Sequence, residues 1–253
     1  MNNPISYSTM TWFEFADYVK QKPFALLPIG SEEQHGPHMP MSTDSIMAQY
    51  FAEEISKQTG FIVLPRISYS TLFSLRRFPG TLYVEEETFV QQLLDLAKAL
   101  SSHGIEYVYL ILGHHGAMNS CKAAERKLIT LNSELRFFVL AFPGIKEAIQ
   151  EHCTSKRWIK DLFHAEEVET SMLLAVRPDL VRMDKAVCEY PEINPFYGSV
   201  SDYWNETCKS GVFGDATAAT AEKGKKIIEA VVKRSVQLIK DHQASLTNAK
   251  LNK

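Results

Sequence analysis

Apolar residues recur along this chain in two alternating rhythms. Short runs dense in Val, Ile, Leu, Phe and Tyr occupy residues 24–30, 61–67, 107–113 and 137–142. Runs of that length and type are expected of strands buried on both faces. Between them apolar positions return every three or four residues, which predicts helices over residues 11–20, 44–57, 86–102, 119–132, 166–175 and 218–241. Strands alternating with helices predict an α/β fold, a three-layer α-β-α sandwich around a mostly parallel sheet. In the last helix Ile227, Ile228, Val231, Val232, Leu238 and Ile239 form a stripe roughly opposite Lys226, Lys233 and Lys240, as a core-facing helix requires. Residues 187–214 carry Tyr190, Phe196, Tyr197, Tyr203 and Trp204 with no clear period. They read as a long aromatic loop that packs on its own domain or serves as a substrate lid or subunit contact. The polar tail from His242 is expected to fray.

Composition narrows the function classes. A length of 253 residues predicts one large domain over 1–253. Hydrophobic residues at 45% and charged residues at 23% describe an ordinary globular chain. The net charge of −3, with lysines and arginines scattered among carboxylates, offers no field for a polyanion, so no nucleic-acid partner is expected. Apolar runs such as 108–112 are far below the ~18–20 residues that span a bilayer, so no membrane segment is expected either. The opening residues lack a basic and then apolar leader, which predicts a cytoplasmic setting. Cys121, Cys153, Cys188 and Cys208 show no C-x-x-C spacing and are expected as reduced thiols. Cys121 falls in a helical run and is expected to be buried, which argues against a thiol hydrolase.

Candidate chemistry is concentrated where predicted strands end. Residues 30–44, GSEEQHGPHMPMSTD, follow the first strand and crowd His35 and His38 among Glu32, Glu33 and Asp44. In open α/β sheets ligands bind beyond the carboxyl ends of the strands. Glu33 and His35, one residue apart, can point to one side of an extended backbone, and Gly36-Pro37 turns the chain so that Asp44 can return. Carboxylate and imidazole together suit Zn²⁺, Mn²⁺ or Fe²⁺, against the alternative of a solvated acidic loop. The third strand ends in Gly113-His114-His115-Gly116, bringing imidazoles to the same edge. A third cluster, His164-Ala165-Glu166-Glu167-Val168-Glu169, opens a helix; its carboxylates also suit a helix N-terminus.

These blocks resemble the creatininase (creatinine amidohydrolase) family of metal-dependent amide hydrolases. The resemblance rests on Gly-Ser-x-Glu-Gln-His-Gly-Pro-His at 30–38 with Pro40 and Asp44, Phe-Pro-Gly-Thr-Leu at 78–82, and Gly113-His114. It continues through His-Ala-x-Glu-x-Glu-Thr-Ser at 164–171, Gly-Val-x-Gly-Asp at 211–215 and Ala-Glu-Lys-Gly at 221–224. It implies two divalent metal ions per chain, with Asp44 bridging, Glu33 and His114 completing one site, and His35 on the other. Creatininase proper supplies a further glutamate two residues after the histidine of the Gly-His pair, where this chain has Gly116. Other members use the glutamate of a His-Ala-Gly-Glu motif, so the resemblance assigns Glu167 as the remaining metal ligand. It makes His164 the catalytic histidine and gives Glu169 an orienting role in catalysis.

The implied reaction is hydrolysis of a non-peptide C–N bond by a dinuclear-metal-activated water. The implied partner is a small-molecule amide, either a cyclic amide like creatinine or a formamide such as a formamidopyrimidine. His115 and Gly116 stand where creatininase proper has tyrosine and glutamate, which separates this chain from creatinine binding as such. The alternatives are a non-catalytic metal- or metabolite-binding member and a peptide-processing member. Arg76 and Arg77, before the Phe-Pro-Gly-Thr block, are candidates to meet an anionic substrate group or to lie at the surface. The family also implies a homo-oligomer, a ring-like hexamer.

Overall fold

The computed structural model describes residues 3–160, 162–197 and 199–251. Its centre is a five-stranded sheet made of β1 (Ile5–Ser6), β2 (Phe24–Ile29), β3 (Ile62–Val63), β4 (Tyr107–Leu112) and β5 (Arg136–Leu140). The spatial order is β1-β3-β2-β4-β5, and every pairing is parallel. Strands β2 and β4 lie side by side from Phe24 opposite Tyr107 to Ile29 opposite Leu112.

Alternation along these strands sorts side chains between two cores. Leu26, Tyr109 and Ile111 face one side, where they meet α2 (Thr43–Thr59), α5 (Ile145–His152), α6 (Glu167–Val176) and α7 (Ala221–Leu251). Ala25, Leu27, Val108 and Leu110 face the other, toward α1 (Trp12–Gln21), α3 (Glu86–Ser102) and α4 (Met118–Thr130). The result is the three-layer arrangement expected of the sequence. Each fully buried Leu, Ile or Phe contributes roughly 1.5–3 kcal/mol, so the central strands anchor both layers at once. The stripe on α7 is core, with Ile227, Ile228, Val231, Val232 and Ile239 buried.

Several expectations are corrected. Only Ile62–Val63 of the run 61–67 is regular strand, because Pro65 has no N–H to give to the ladder. The chain nonetheless stays beside β2, with Leu64 N–H donating to Leu26 O and Ile67 N–H to Pro28 O. Strand β5 stops before Phe142, whose φ of 49° turns the backbone out of the sheet, and Gly144 then opens α5, a helix absent from the sequence reading. The tail past His242 continues α7 to Leu251 rather than fraying. There the hydroxyl of Tyr109 lies 2.7 Å from His242 Nδ1, and the imidazole packs 4.2 Å from the Phe138 ring centre.

The aromatic segment packs on the protein's own surface. Strands β6 (Cys188–Glu189) and β7 (Gly214–Asp215) pair antiparallel at its ends. Between them Glu189 accepts from the backbone N–H groups of Lys209 and Ser210. Trp158 and Trp204 pack on Phe213. All four cysteines are free, and Cys121 is buried. No helix among the described residues is long and apolar enough to cross a membrane.

Candidate metal centre

The first turn of α2 lies across the carboxyl ends of β2 and β4, and two glycines make that approach possible. A Cβ on Gly113 would stand 2.1 Å from the Asp44 carbonyl oxygen, and one on Gly30 would stand 2.4 Å from Ser45 Cα. Asp44, buried in that turn, therefore sits directly over the strand ends. The loop after β2 brings Glu33 and His35 beside it, the end of β4 brings His114, and α6 brings His164 and Glu169.

The carboxylate of Asp44 is shared between two groups of donors. Its Oδ2 lies 3.0 Å from His114 Nδ1, which is 3.4 Å from Glu33 Oε1. Its Oδ1 lies 3.1 Å from His35 Nε2, which is 3.5 Å from Glu169 Oε2. Glu33, Asp44 and His114 thus form one triad of possible ligands and His35, Asp44 and Glu169 a second, all buried. Neighbouring ligands of a tetrahedral ion with bonds near 2.0–2.2 Å stand about 3.3 Å apart, close to these spacings. Ser31 Oγ donates to Asp44 Oδ2 at 2.8 Å, and His35 Nδ1 meets the Glu33 carbonyl at 3.1 Å, so that a proton on Nδ1 leaves Nε2 a bare lone pair.

The donor atoms fit a metal because the protein does not satisfy them. Glu33 Oε2 and His35 Nε2 are buried without a hydrogen-bond partner, and a buried polar atom left in that state costs about 1–3 kcal/mol. The electrostatics agree. Burial raises the Glu33 carboxyl, only partly opposed by His114. Burial likewise pushes Glu169 up to about 8 against the pull of His35. Burial disfavours charge on His35, yet Asp44, Glu169 and Glu33 together lift it to about 10. Burial also works against Asp44, but His35 and His114 outweigh it and hold the carboxyl well below the usual range. Burial thus works against charge on Glu33 and Glu169, and a divalent ion between them and the imidazoles would offset it.

His164 stands against this cluster with its two nitrogens in different roles. Its Nε2 is 2.8 Å from the side-chain amide nitrogen of Gln34 and 3.0 Å from the Gln34 carbonyl oxygen. The first donates to a bare Nε2 and the second accepts from a protonated one, so the ring is held in either state. Nδ1 faces Glu33 Oε1 at 3.6 Å and Glu169 Oε2 at 4.0 Å. Burial, and after it the charge on His35, keeps this imidazole well below its ordinary pKa.

The structure does not bring Glu167 to the cluster. Its carboxylate accepts from the backbone N–H groups of Thr154 and Ser155 and pairs with Lys223 Nζ at 2.5 Å and Arg157 at 3.3 Å. Glu169, expected only to orient, takes the inward position instead. The reason is helical geometry: residues two apart point about 200° apart, so only one of the pair can face the cleft. Arg76 and Arg77 do not line the cleft either. Arg76 pairs with Glu85 at 3.3 Å and covers the Tyr83 ring, and Arg77 pairs with Glu206 at 2.6 Å and covers Tyr203. His38 belongs to none of these ligand groups, and its Nε2 lies 2.8 Å from Thr170 Oγ1. Gln34 was missed by residue-type reasoning, although its place between Glu33 and His35 in the first block was a signal.

The centre opens into a cleft of about 450 Å³ walled by Leu72, Phe73, Leu162, Phe163 and Trp204. The creatininase family model, described as creatinine amidohydrolase, matches residues 8–239. The chain belongs to the creatininase family. Creatinine amidohydrolase of Pseudomonas putida is 26% identical over 95% of this chain and 98% of its own. The 3-dehydro-scyllo-inosose hydrolase of Thermotoga maritima is 28% identical over 94% and 83%. The mycofactocin precursor peptide peptidase of Mycolicibacterium smegmatis is 28% identical over 87% and 86%. A crystal structure of creatinine amidohydrolase superposes with a TM-score of 0.84 at 26% identity, covering 94% of this chain and 98% of that one. Solved creatininases include a manganese form and a zinc-zinc form of a mutant. This creatininase-family chain is accordingly a hydrolase, with buried groups of residues that could hold a metal ion.

Proposed function

We propose that the protein is a dinuclear amidohydrolase that cleaves a non-peptide C–N bond in a small cyclic amide or formamide. The observation that carries this reading is the division of Asp44, one oxygen toward His114 and the other toward His35. Glu33, Asp44 and His114 would hold one divalent ion, and His35, Asp44 and Glu169 the second. Two such ions supply Lewis acidity for a carbonyl and make water nucleophilic near neutral pH. His164 moves the protons. Its Nδ1, neutral and turned toward the cluster, takes a proton from the attacking water and delivers it to the departing nitrogen, which is a poor leaving group until protonated. Gln34 keeps the ring aligned through both steps.

The three relatives differ little in identity, 26–28%, yet by name act on different substrates. Cleft size favours the small-molecule reading, since about 450 Å³ lies within the range of small-ligand pockets. Elemental analysis of protein purified without chelator tests the assignment. About two divalent ions per chain are expected, fewer in Glu33→Ala and Glu169→Ala, and an unchanged count in folded Glu167→Gln. A chain that stays empty after reconstitution overturns the reading. Turnover on lactam and formamide panels under the metal found then identifies the reaction.

A further inference from the structure

The cleft wall beyond the metal donors has a one-sided charge. Among the described residues lining it there is no lysine or arginine, whereas Glu86 adds a carboxylate that neither triad uses. Glu86 stands at the start of α3 between two other glutamates that go elsewhere. Glu85 pairs with Arg76, and Glu87 lines a shallow groove beside Gln91 and Asp95 on the outer side of the helix. Favouring the helix dipole accounts for acids at this terminus but not for one of three being turned into the cleft. There Glu86 Oε1 accepts from Ser120 Oγ at 3.3 Å, and Ser120 is itself buried in the cleft wall. Glu86 and Asn119 are solvent-exposed on the same wall, and Glu86 Oε2 and the Asn119 side chain make no hydrogen bond among the described residues, which leaves them to water or to a ligand.

We infer that Glu86, with Asn119 beside it, is a specificity determinant that selects substrates carrying a cationic nitrogen at the end remote from the scissile bond, and that disfavours carboxylated or phosphorylated ones. The inference rests on the dinuclear reading above, which places the scissile bond at Asp44 and leaves the remote end of a bound substrate along this wall. An ammonium or amidinium group there would meet a carboxylate oxygen that has no protein partner, and hydrogen bonds of that charge-assisted kind are about twice as strong as neutral ones. An anionic group would meet Glu86 with no counter-charge on the lining. Arg76, which donates to the Leu72 carbonyl from behind the wall, is paired with Glu85, and Arg157 and Lys160 belong to an adjoining cavity of about 600 Å³ that meets the cleft only at His115, Leu162 and Phe163. Arg157 is already paired there with Glu166 and Glu167.

Hydroxamates separate the two claims, because the hydroxamate group chelates metal while its tail reports the wall. Metal-loaded protein would be titrated calorimetrically with acetohydroxamate, β-alanine hydroxamate bearing an ammonium tail, and succinic monohydroxamate bearing a carboxylate tail. The expected order is ammonium tightest and carboxylate weakest, with the ratio between the two falling about tenfold in Glu86→Gln while acetohydroxamate affinity stays constant. Acetohydroxamate binding with no tail preference, with a preference for the carboxylate, or with an ammonium preference that survives Glu86→Gln overturns this inference alone. No acetohydroxamate binding by a protein that also takes up no metal overturns the dinuclear reading and this one with it.

Discussion

Asp44 and His164 divide the labour at the smallest scale. One is surrounded by imidazoles that stabilise its charge, and the other by burial that removes its charge. Two titratable groups pushed in opposite directions are what a hydrolytic site needs if one is to hold a cation and the other to carry a proton. His164→Ala is expected to keep both ions and to lose about 10²–10⁴-fold in turnover, measured as kcat beside the metal count. Full turnover in that variant would remove the histidine from the reaction. Residue types and spacing brought Glu33, His35, Asp44 and the His114-His115 pair to one sheet edge, because each block leaves a strand at its carboxyl end, and the family resemblance chose His114 and the ligand set. They did not indicate which of Glu167 and Glu169 turns inward. That depends on the rotation of α6, which is set by Thr154 and Lys223, 13 and 56 residues away.

Helix α6 carries the proposed base just before its first turn and Glu169 within it, and its seating is electrostatic. Ala165 takes a φ of 53° and gives its N–H to Glu169 Oε2 at 2.6 Å, so the turn that precedes the helix also aims the ligand. Glu167 ties the outer side to Lys223 at the start of α7 and to the segment 154–157. Burial raises its carboxyl, but Lys223, Ser155 and Thr154 outweigh that and hold it at about 2, below an ordinary 4.5. A carboxyl lowered on folding stabilises the protein fully above its unfolded value and loses that contribution as pH falls through the folded one. Glu167→Gln should therefore cost about 3 kcal/mol at neutral pH, and the gap from wild type should close as the pH drops from about 4.5 toward 2. Urea midpoints across that range measure it, and a gap independent of pH would mean that packing rather than charge seats the helix. Element positions for α2, α3 and α6 were legible from apolar period. Helix α5 was not, since its eight residues follow left-handed Phe142 and Gly144 with too few turns for a period to show.

At the scale of the molecule the centre is a charged inclusion between otherwise apolar layers. Its carboxylates and imidazoles are buried at the edge of a sheet whose two faces are fully packed. An ion bound only by the folded chain stabilises it by about 2.7 kcal/mol at a free concentration a hundred times its Kd. For a chain of this size that corresponds to roughly 5–10 °C in Tm. Chelation removes both proposed ions and should lower the calorimetric Tm by about twice that amount, and re-addition of the native ions should restore it; an unchanged Tm would place the ions outside the folded core. The alternating strands and helices made the layered architecture legible. The two-residue edge strand β1 escaped because pairing with β3, not sequence pattern, defines it.

The donors and the cleft wall come from largely separate stretches of chain. Residues 33–44, 114 and 164–169 supply the proposed ligands and base, and the closure of Gly30 and Gly113 against α2 leaves those stretches little freedom to vary. Most of the wall is furnished by residues 71–75, 86, 119–120, 162–163, 201 and 204, which contribute no donor. Such a partition makes the scaffold modular: exchange of surface loops can re-target the chemistry without re-engineering the reactive core. Divergent substrates within one family then require only local rewriting of the wall.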